Sequence, residues 1–298
     1  MPRYAAAIFL SAFLLFQVQP MIGKYILPWF GGTSAVWNTC MLFFQVLLLC
    51  GYGYAHGLNR RLSPARQVVL HGVLLGLCVL WLLGQGWAWG VPLLPAGSWK
   101  PSDSGQPILH ILTVLLLGVG FPFFLLSTSN PLLQAWFHRE YPQASPYRLY
   151  ALSNIGSLLG LLGYPFGIEP FLPLRAQAWV WSGMFGGYLL VFFLCAWTAR
   201  QGRAATLTGE PGEEAEPRVE GGAGGAPAPG LGRRALWVLL SATASALLLA
   251  MTNQMCQEVA VIPFLWVVPL SIYLITFVIA FDHPRRYLRG FFGLGFWG

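Results

Sequence analysis

Charge is what this sequence has least of. Only 9% of its 298 residues are Asp, Glu, Lys or Arg, against roughly 25% in a soluble globular domain. So few charges cannot cover a water-facing surface, which excludes an ordinary soluble fold. Catalytic signatures are missing too. There is no GxxxxGK[ST] phosphate loop, no HExxH pair and no GxGxxG following a strand. His56, His71, His110, His138 and His283 are scattered, and the five cysteines form no CxxC. A disulfide framework, a zinc site and a soluble catalytic domain are therefore not expected, nor is any cofactor. Four of the cysteines, Cys40, Cys50, Cys78 and Cys195, lie inside apolar runs and read as small buried hydrophobes.

What is present is hydrophobicity: 56% apolar residues, 15% aromatics and a mean hydropathy of +0.61. Runs long enough to cross a bilayer, about 20 residues each, occur near 5–22, 35–56, 67–87, 108–128, 149–168, 176–198, 235–252 and 259–281. The expected fold is all-α, a polytopic transmembrane helix bundle of eight complete spans. The final FFGLGFWG, 291–298, reads as the start of a ninth, and so as a chain cut short. Met1 to Phe16 has the look of a signal peptide, but no small-x-small cleavage site follows. It is read as the first membrane helix.

The net charge of +7 does not indicate nucleic acid, because no basic stripe interleaves with aromatics. With the N-terminus placed in the cytoplasm, fourteen of the 17 basic residues fall in cytoplasmic segments. Only Lys24, Lys100 and Arg175 fall outside. That split follows the positive-inside rule. Residues 199–234, rich in Gly, Pro, Ala and Glu, cannot bury enough surface to offset ordering and are expected to form a disordered cytoplasmic linker. The linker separates a six-helix unit, 1–198, from the start of a second unit, 235–298. Six helices, a long inner loop and further helices is also the outline of a major-facilitator transporter.

Polar residues inside the spans mark candidate sites. In YALSNIGSLLGLLGYPFGIEP, 150–170, small residues recur at three- and four-residue spacing. Gly156, Gly160 and Gly163 are expected to let another helix approach closely. Asn154 adds an amide that needs a partner in low dielectric. Glu169 closes the stretch. It is either solvated or paired with Arg175, or else a cation- or proton-handling group at membrane depth. In MTNQMCQEVAVIPFLWVVPLSIY, 251–273, Gln254 and Glu258 belong to a polar cluster ahead of a helix carrying Pro263 and Pro269. That region reads either as a tight outer turn or as a cavity lining. In STSNPLLQAWF, 127–137, Ser129 or Asn130 caps an interfacial helix beginning at Pro131 and carrying Leu132, Leu133, Trp136 and Phe137. QVQPMIGKYILPWFGG, 17–32, closes the first span. Gln17 and Gln19 are two apart and point in different directions on a helix, and Gln19 is a candidate substrate- or ion-binding residue. Pro20 loosens the helix, and Pro28 with Gly31 and Gly32 supplies a turn. Lys24 either snorkels to the interface or pairs with Glu169 or Glu258 as part of an outer gate.

Three long strings carry a resemblance: QPMIGKYILPWFGGTSAVWNTCMLFFQVLLLCGYGYAH (19–56), YALSNIGSLLGLLGYPFGIEP (150–170) and MTNQMCQEVAVIPFLWVVPLSIYLITFVIAFDHPRRY (251–287). They resemble the bacterial membrane proteins described as fused major-facilitator/spermidine-synthase-like proteins. The resemblance implies a multi-pass region of the bacterial inner membrane followed by a cytoplasmic synthase-like Rossmann domain. No residue of that domain occurs in these 298, so the chain itself is not expected to be an enzyme. Two roles follow for the membrane region. One is transport of a polyamine or related small cation, bound by Glu169, Glu258 or Asp103 beside aromatic faces such as Trp99 and Phe171. The other is to anchor and scaffold the synthase-like domain.

Overall fold

The structure is a computed structural model and describes residues 1–101, 107–144, 147–208, 230–258 and 267–282. Among the described residues the regular elements are helical throughout. They are α1 (Pro2–Phe30), α2 (Ser34–Arg61), α3 (Pro64–Trp89), α4 (Pro107–Leu115), α5 (Phe121–Glu140), α6 (Tyr147–Gly163), α7 (Leu174–Thr208), α8 (Leu231–Glu258) and α9 (Val267–Asp282). A π-helical turn, Leu116–Gly120, joins α4 to α5, and a second, Tyr164–Ile168, extends α6.

Seven helical runs are long and apolar enough to cross a membrane, with α4 and α5 acting as one run of 34 residues. The apolar residues lie outside as well as inside. Leu42, Val46 and Leu49 on α2, Val69, Val73 and Leu80 on α3, and Leu190, Leu194 and Trp197 on α7 are all exposed. An exposed apolar belt over a packed apolar core is stable only against lipid. The chain is an all-α, multi-pass integral membrane protein.

Several boundaries differ from the sequence reading. The first helix does not end near residue 22. It runs through Pro20 and Pro28 to Phe30, and the chain turns at Gly31, whose φ of 85° suits a residue without Cβ. Pro131 starts no interfacial helix. It lies inside α5, and Leu132, Leu133, Trp136 and Phe137 are buried among the other helices. Burial of four large apolar side chains outweighs one missing backbone donor. Helix α7 continues through the first ten residues of the expected linker to Thr208; 209–229 lie outside the described residues. The eighth span is described only as the 16 residues of α9. Pro269 lies within the described part of α9, while Pro263 and the expected ninth span lie outside the described residues. Of the four cysteines in apolar runs, Cys40, Cys78 and Cys195 are buried and Cys50 is exposed.

Helix α1 is the axis of the bundle. It packs against α6 above all, and against α5, α7 and α2, so Tyr4, Ile8, Leu14, Val18, Ile22 and Ile26 are shielded from solvent on several sides. The contact with α6 rests on two glycines. A Cβ on Gly156 would lie 2.7 Å from the Phe9 carbonyl oxygen, and one on Gly160 would strike the Phe13 carbonyl. The helices run parallel at this crossing, with a constant sequence offset of 147 between the facing residues. Gly163 departs from the expectation. No atom lies within 4 Å of its Cβ position, because α1 no longer faces that side of α6.

Polar bridges complete the interior. Asn130 donates to Ser153 Oγ at 2.8 Å and accepts from Ser11 Oγ at 3.3 Å, linking α5, α6 and α1. Gln67 on α3 accepts from Trp136 Nε1 at 2.8 Å and donates to the Leu58 and Leu62 carbonyls. Buried Gln85 donates to the carbonyls of Leu117 and Gly118 in the first π turn and accepts from Leu93 N–H. Each bridge satisfies groups that lipid could not.

The two glycine classes separate on substitution. Gly160→Ala forces backbone apart at the α1–α6 crossing and is expected to cost about 1–3 kcal/mol. Gly163→Ala, in open space with φ −64°, should be neutral or gain up to ~1 kcal/mol of helix propensity. Thermal unfolding of both variants in detergent checks this: the melting temperature should fall for Gly160→Ala only.

Candidate functional site

The offset set by the two glycines has a consequence one end of the bundle further on. Carried along two parallel helices of equal rise, it brings the last turn of the α6 run beside Lys24. Glu169 follows the π turn, its N–H bonded to the Tyr164 carbonyl at 2.8 Å, and its carboxylate accepts a charge-assisted hydrogen bond from Lys24 Nζ. The offset there is 145 residues, two fewer than at the glycines. Of the readings open for Lys24, the structure shows pairing with Glu169. Arg175, the other partner considered for Glu169, is aimed instead at the Gly90 carbonyl, 3.5 Å away.

The pair stands at a cavity of about 450 Å³, within the range of roughly 300–1,000 Å³ typical of small-molecule sites. One wall is α1, where Pro20, Leu27 and Pro28 flank Lys24. Pro28 has no N–H, so the carbonyl of Lys24, four residues earlier, loses its helical donor. Trp37 of α2 closes a second side, packing against α1 at Gly23, where an added Cβ would lie 2.8 Å from the indole. The π turn contributes Tyr164 and Pro165, and α9 contributes Val267. Apart from the ion pair the lining is mostly apolar. Tyr164 is buried, and its hydroxyl has no hydrogen-bond partner. A buried hydroxyl left unpaired costs on the order of 1–3 kcal/mol.

Of the remaining candidates, those that are described do not line this cavity. Gln19 is buried but makes only a 3.4 Å contact to the Leu15 carbonyl of its own helix. Gln17 is buried as well, and its amide nitrogen is unpartnered. The two-residue spacing separates them in direction, yet helix α1 is enclosed on so many sides that both directions are interior. Asn154 donates to the Tyr150 carbonyl one turn back, at 2.8 Å, satisfying itself within α6. Gln254 is exposed on α8; its neighbour Asn253 accepts from Asn38 Nδ2 at 3.2 Å. Glu258 ends α8, and its side chain lies outside the described residues, as does Asp103. Trp99 packs edge-on against Trp89, and Phe171 is exposed.

Three features carried no sequence signal. Tyr164 reads as one more aromatic in an apolar run. The opposite end of α1 carries a second charged tie: Arg3 pairs with Glu140 of α5, and Tyr4 donates to the same carboxylate at 2.8 Å. These partners are separated by more than 130 residues in sequence. His71 is fully buried beside Tyr54 and Phe192, with neither ring nitrogen partnered. No family model, curated protein or solved structure matches the chain.

The two charged ties differ in burial, which decides their contribution. The Lys24 and Glu169 side chains are 47% and 33% exposed, so solvent screens the pair and holds its worth to about 0–1 kcal/mol. Glu140 also satisfies Tyr4, a fully buried residue. Glu140→Ala should therefore destabilise by roughly 1–3 kcal/mol, whereas Glu169→Gln should change stability by less than about 1 kcal/mol. Denaturation of the two variants in the same detergent tests the ranking.

Proposed function

We propose that this chain is a transporter-like membrane domain, and that its cargo is a small solute with an ammonium group, bound in the cavity at Lys24 and Glu169. The observation that carries the reading is the conjunction of an apolar chamber, one carboxylate and a proline-interrupted wall at one end of a bundle. Discontinuous helices beside a binding chamber are a recurrent feature of transporters, and Pro20, Pro28 and the π turn at Pro165 supply three interruptions here. The weak stability contribution of the ion pair supports a role in binding rather than in folding. Lys24 has four rotatable carbons, and an incoming ammonium replaces it on Glu169 without leaving either carboxylate or cargo uncompensated.

The resemblance of the sequence to the fused major-facilitator/spermidine-synthase-like proteins agrees with a polyamine or related small cation as cargo. The charge balance favours the smaller members of that class, since the cavity offers one carboxylate and one competing cation. On this reading the Arg3 end of the bundle faces the cytoplasm of a bacterial cell, in keeping with the assignment of fourteen of the 17 basic residues to cytoplasmic segments of the sequence, and the cavity opens on the far side.

Uptake into proteoliposomes tests the proposal, with a labelled panel of spermidine, a monoamine and amino acids. At least one ammonium-bearing solute should enter faster than into protein-free vesicles. Glu169→Gln should slow that entry by at least about tenfold, the equivalent of ~1.4 kcal/mol. Entry indifferent to Glu169→Gln, or no entry of any member through protein with an intact melting transition, overturns it.

A further inference from the structure

The cavity holds more than a site for a cation. In the described lining the charged groups are one cation and one anion, Lys24 and Glu169, and the rest of that lining is mostly apolar. The net charge of the described lining is zero, because Lys24 neutralises Glu169. A cargo that is only an ammonium ion would take Glu169 and leave Lys24 displaced with no anion. A cargo that is only a carboxylate would strand Glu169. Either occupant leaves one charge of the pair without its partner. A polycation is worse matched, since its further ammonium groups would lie against Leu27, Trp37 and Val267.

We infer that the cavity binds a zwitterionic solute with an apolar side group, of the α-amino acid type. Its ammonium takes the place of Lys24 on Glu169, and its carboxylate accepts from the released Lys24 Nζ. One ion pair is exchanged for two, with no net charge moved. The apolar side group lies against Leu27 and Val267, with the Trp37 indole beside it. A volume of about 450 Å³ accommodates such a molecule. The inference rests on the reading of this cavity as the cargo site, and it narrows the cargo from any ammonium compound to one that also carries a carboxylate.

Binding to the purified full chain in detergent, measured by titration calorimetry, tests this apart from transport. The probes are leucine, leucine methyl ester, 4-methylpentanoate and spermidine. Leucine should bind, and the ester and the acid, each lacking one charge, should bind at least about tenfold more weakly, in keeping with the ~1.5–3 kcal/mol of a hydrogen bond to a charged group. Lys24→Ala should abolish the discrimination between leucine and its ester while Glu169→Gln abolishes that between leucine and the acid. Leucine binding with this pattern but no leucine uptake in proteoliposomes upholds the zwitterion site and removes the transport role. Equal affinity for leucine and its ester, tighter binding of spermidine than of leucine, or no binding of leucine at all overturns the inference; in the first two cases a cation site of the kind proposed above still stands.

Discussion

The close crossing of α1 over α6 is the constraint from which the rest of the structure follows. With Gly156 and Gly160 facing the Phe9 and Phe13 carbonyls, two backbones meet with no side chain between them. In lipid there is no hydrophobic drive to join helices, so such close packing is a principal source of attraction. The crossing also sets a register. The two parallel helices nearly keep their offset, 147 residues at the glycines and 145 at the ion pair, and that register carries Glu169 to Lys24. A charged pair 145 residues apart in sequence is thus positioned by glycines several turns away from it.

The same helix is held by charge at both ends, through Arg3 and Glu140 at one and Lys24 and Glu169 at the other. The two ties are chemically alike but sit in different surroundings. At the Arg3 end the carboxylate also serves the hydroxyl of Tyr4, whose whole side chain is buried. That tie is part of the packing. At the Lys24 end the pair borders open space, two prolines interrupt the helix beside it, and a buried hydroxyl nearby is left without a partner.

Much of this was legible in the sequence. Scarce charge and repeated apolar runs of about 20 residues point to a membrane bundle because a bilayer imposes both. The sequence reading also identified the stretches that matter, 17–32 and 150–170, from polar and small residues placed where an apolar helix has no need of them. It named Lys24 and Glu169 and considered their pairing. It misjudged Pro131, treating as interfacial a segment that lies inside α5 among other helices, and it expected close packing at Gly163, where no neighbouring helix meets the Cβ position. Tyr164 and the Arg3–Glu140 tie gave no signal, since nothing in local spacing marks a partner more than 130 residues distant.

The sequence by itself determined the solvent of this protein, its helical character and the regions where polar groups enter the membrane. Those properties depend on composition and on local hydrogen bonding, which each segment carries with it. Only the tertiary structure decided which of several isolated polar residues face one another, because that depends on the order and register in which helices pack. Lys24 and Glu169 share a cavity and Gln19, Asn154 and Gln254 do not line it, although all five look alike as polar interruptions of apolar runs. The difference lies in two glycines that bring one pair of backbones into contact and so align everything that follows along them.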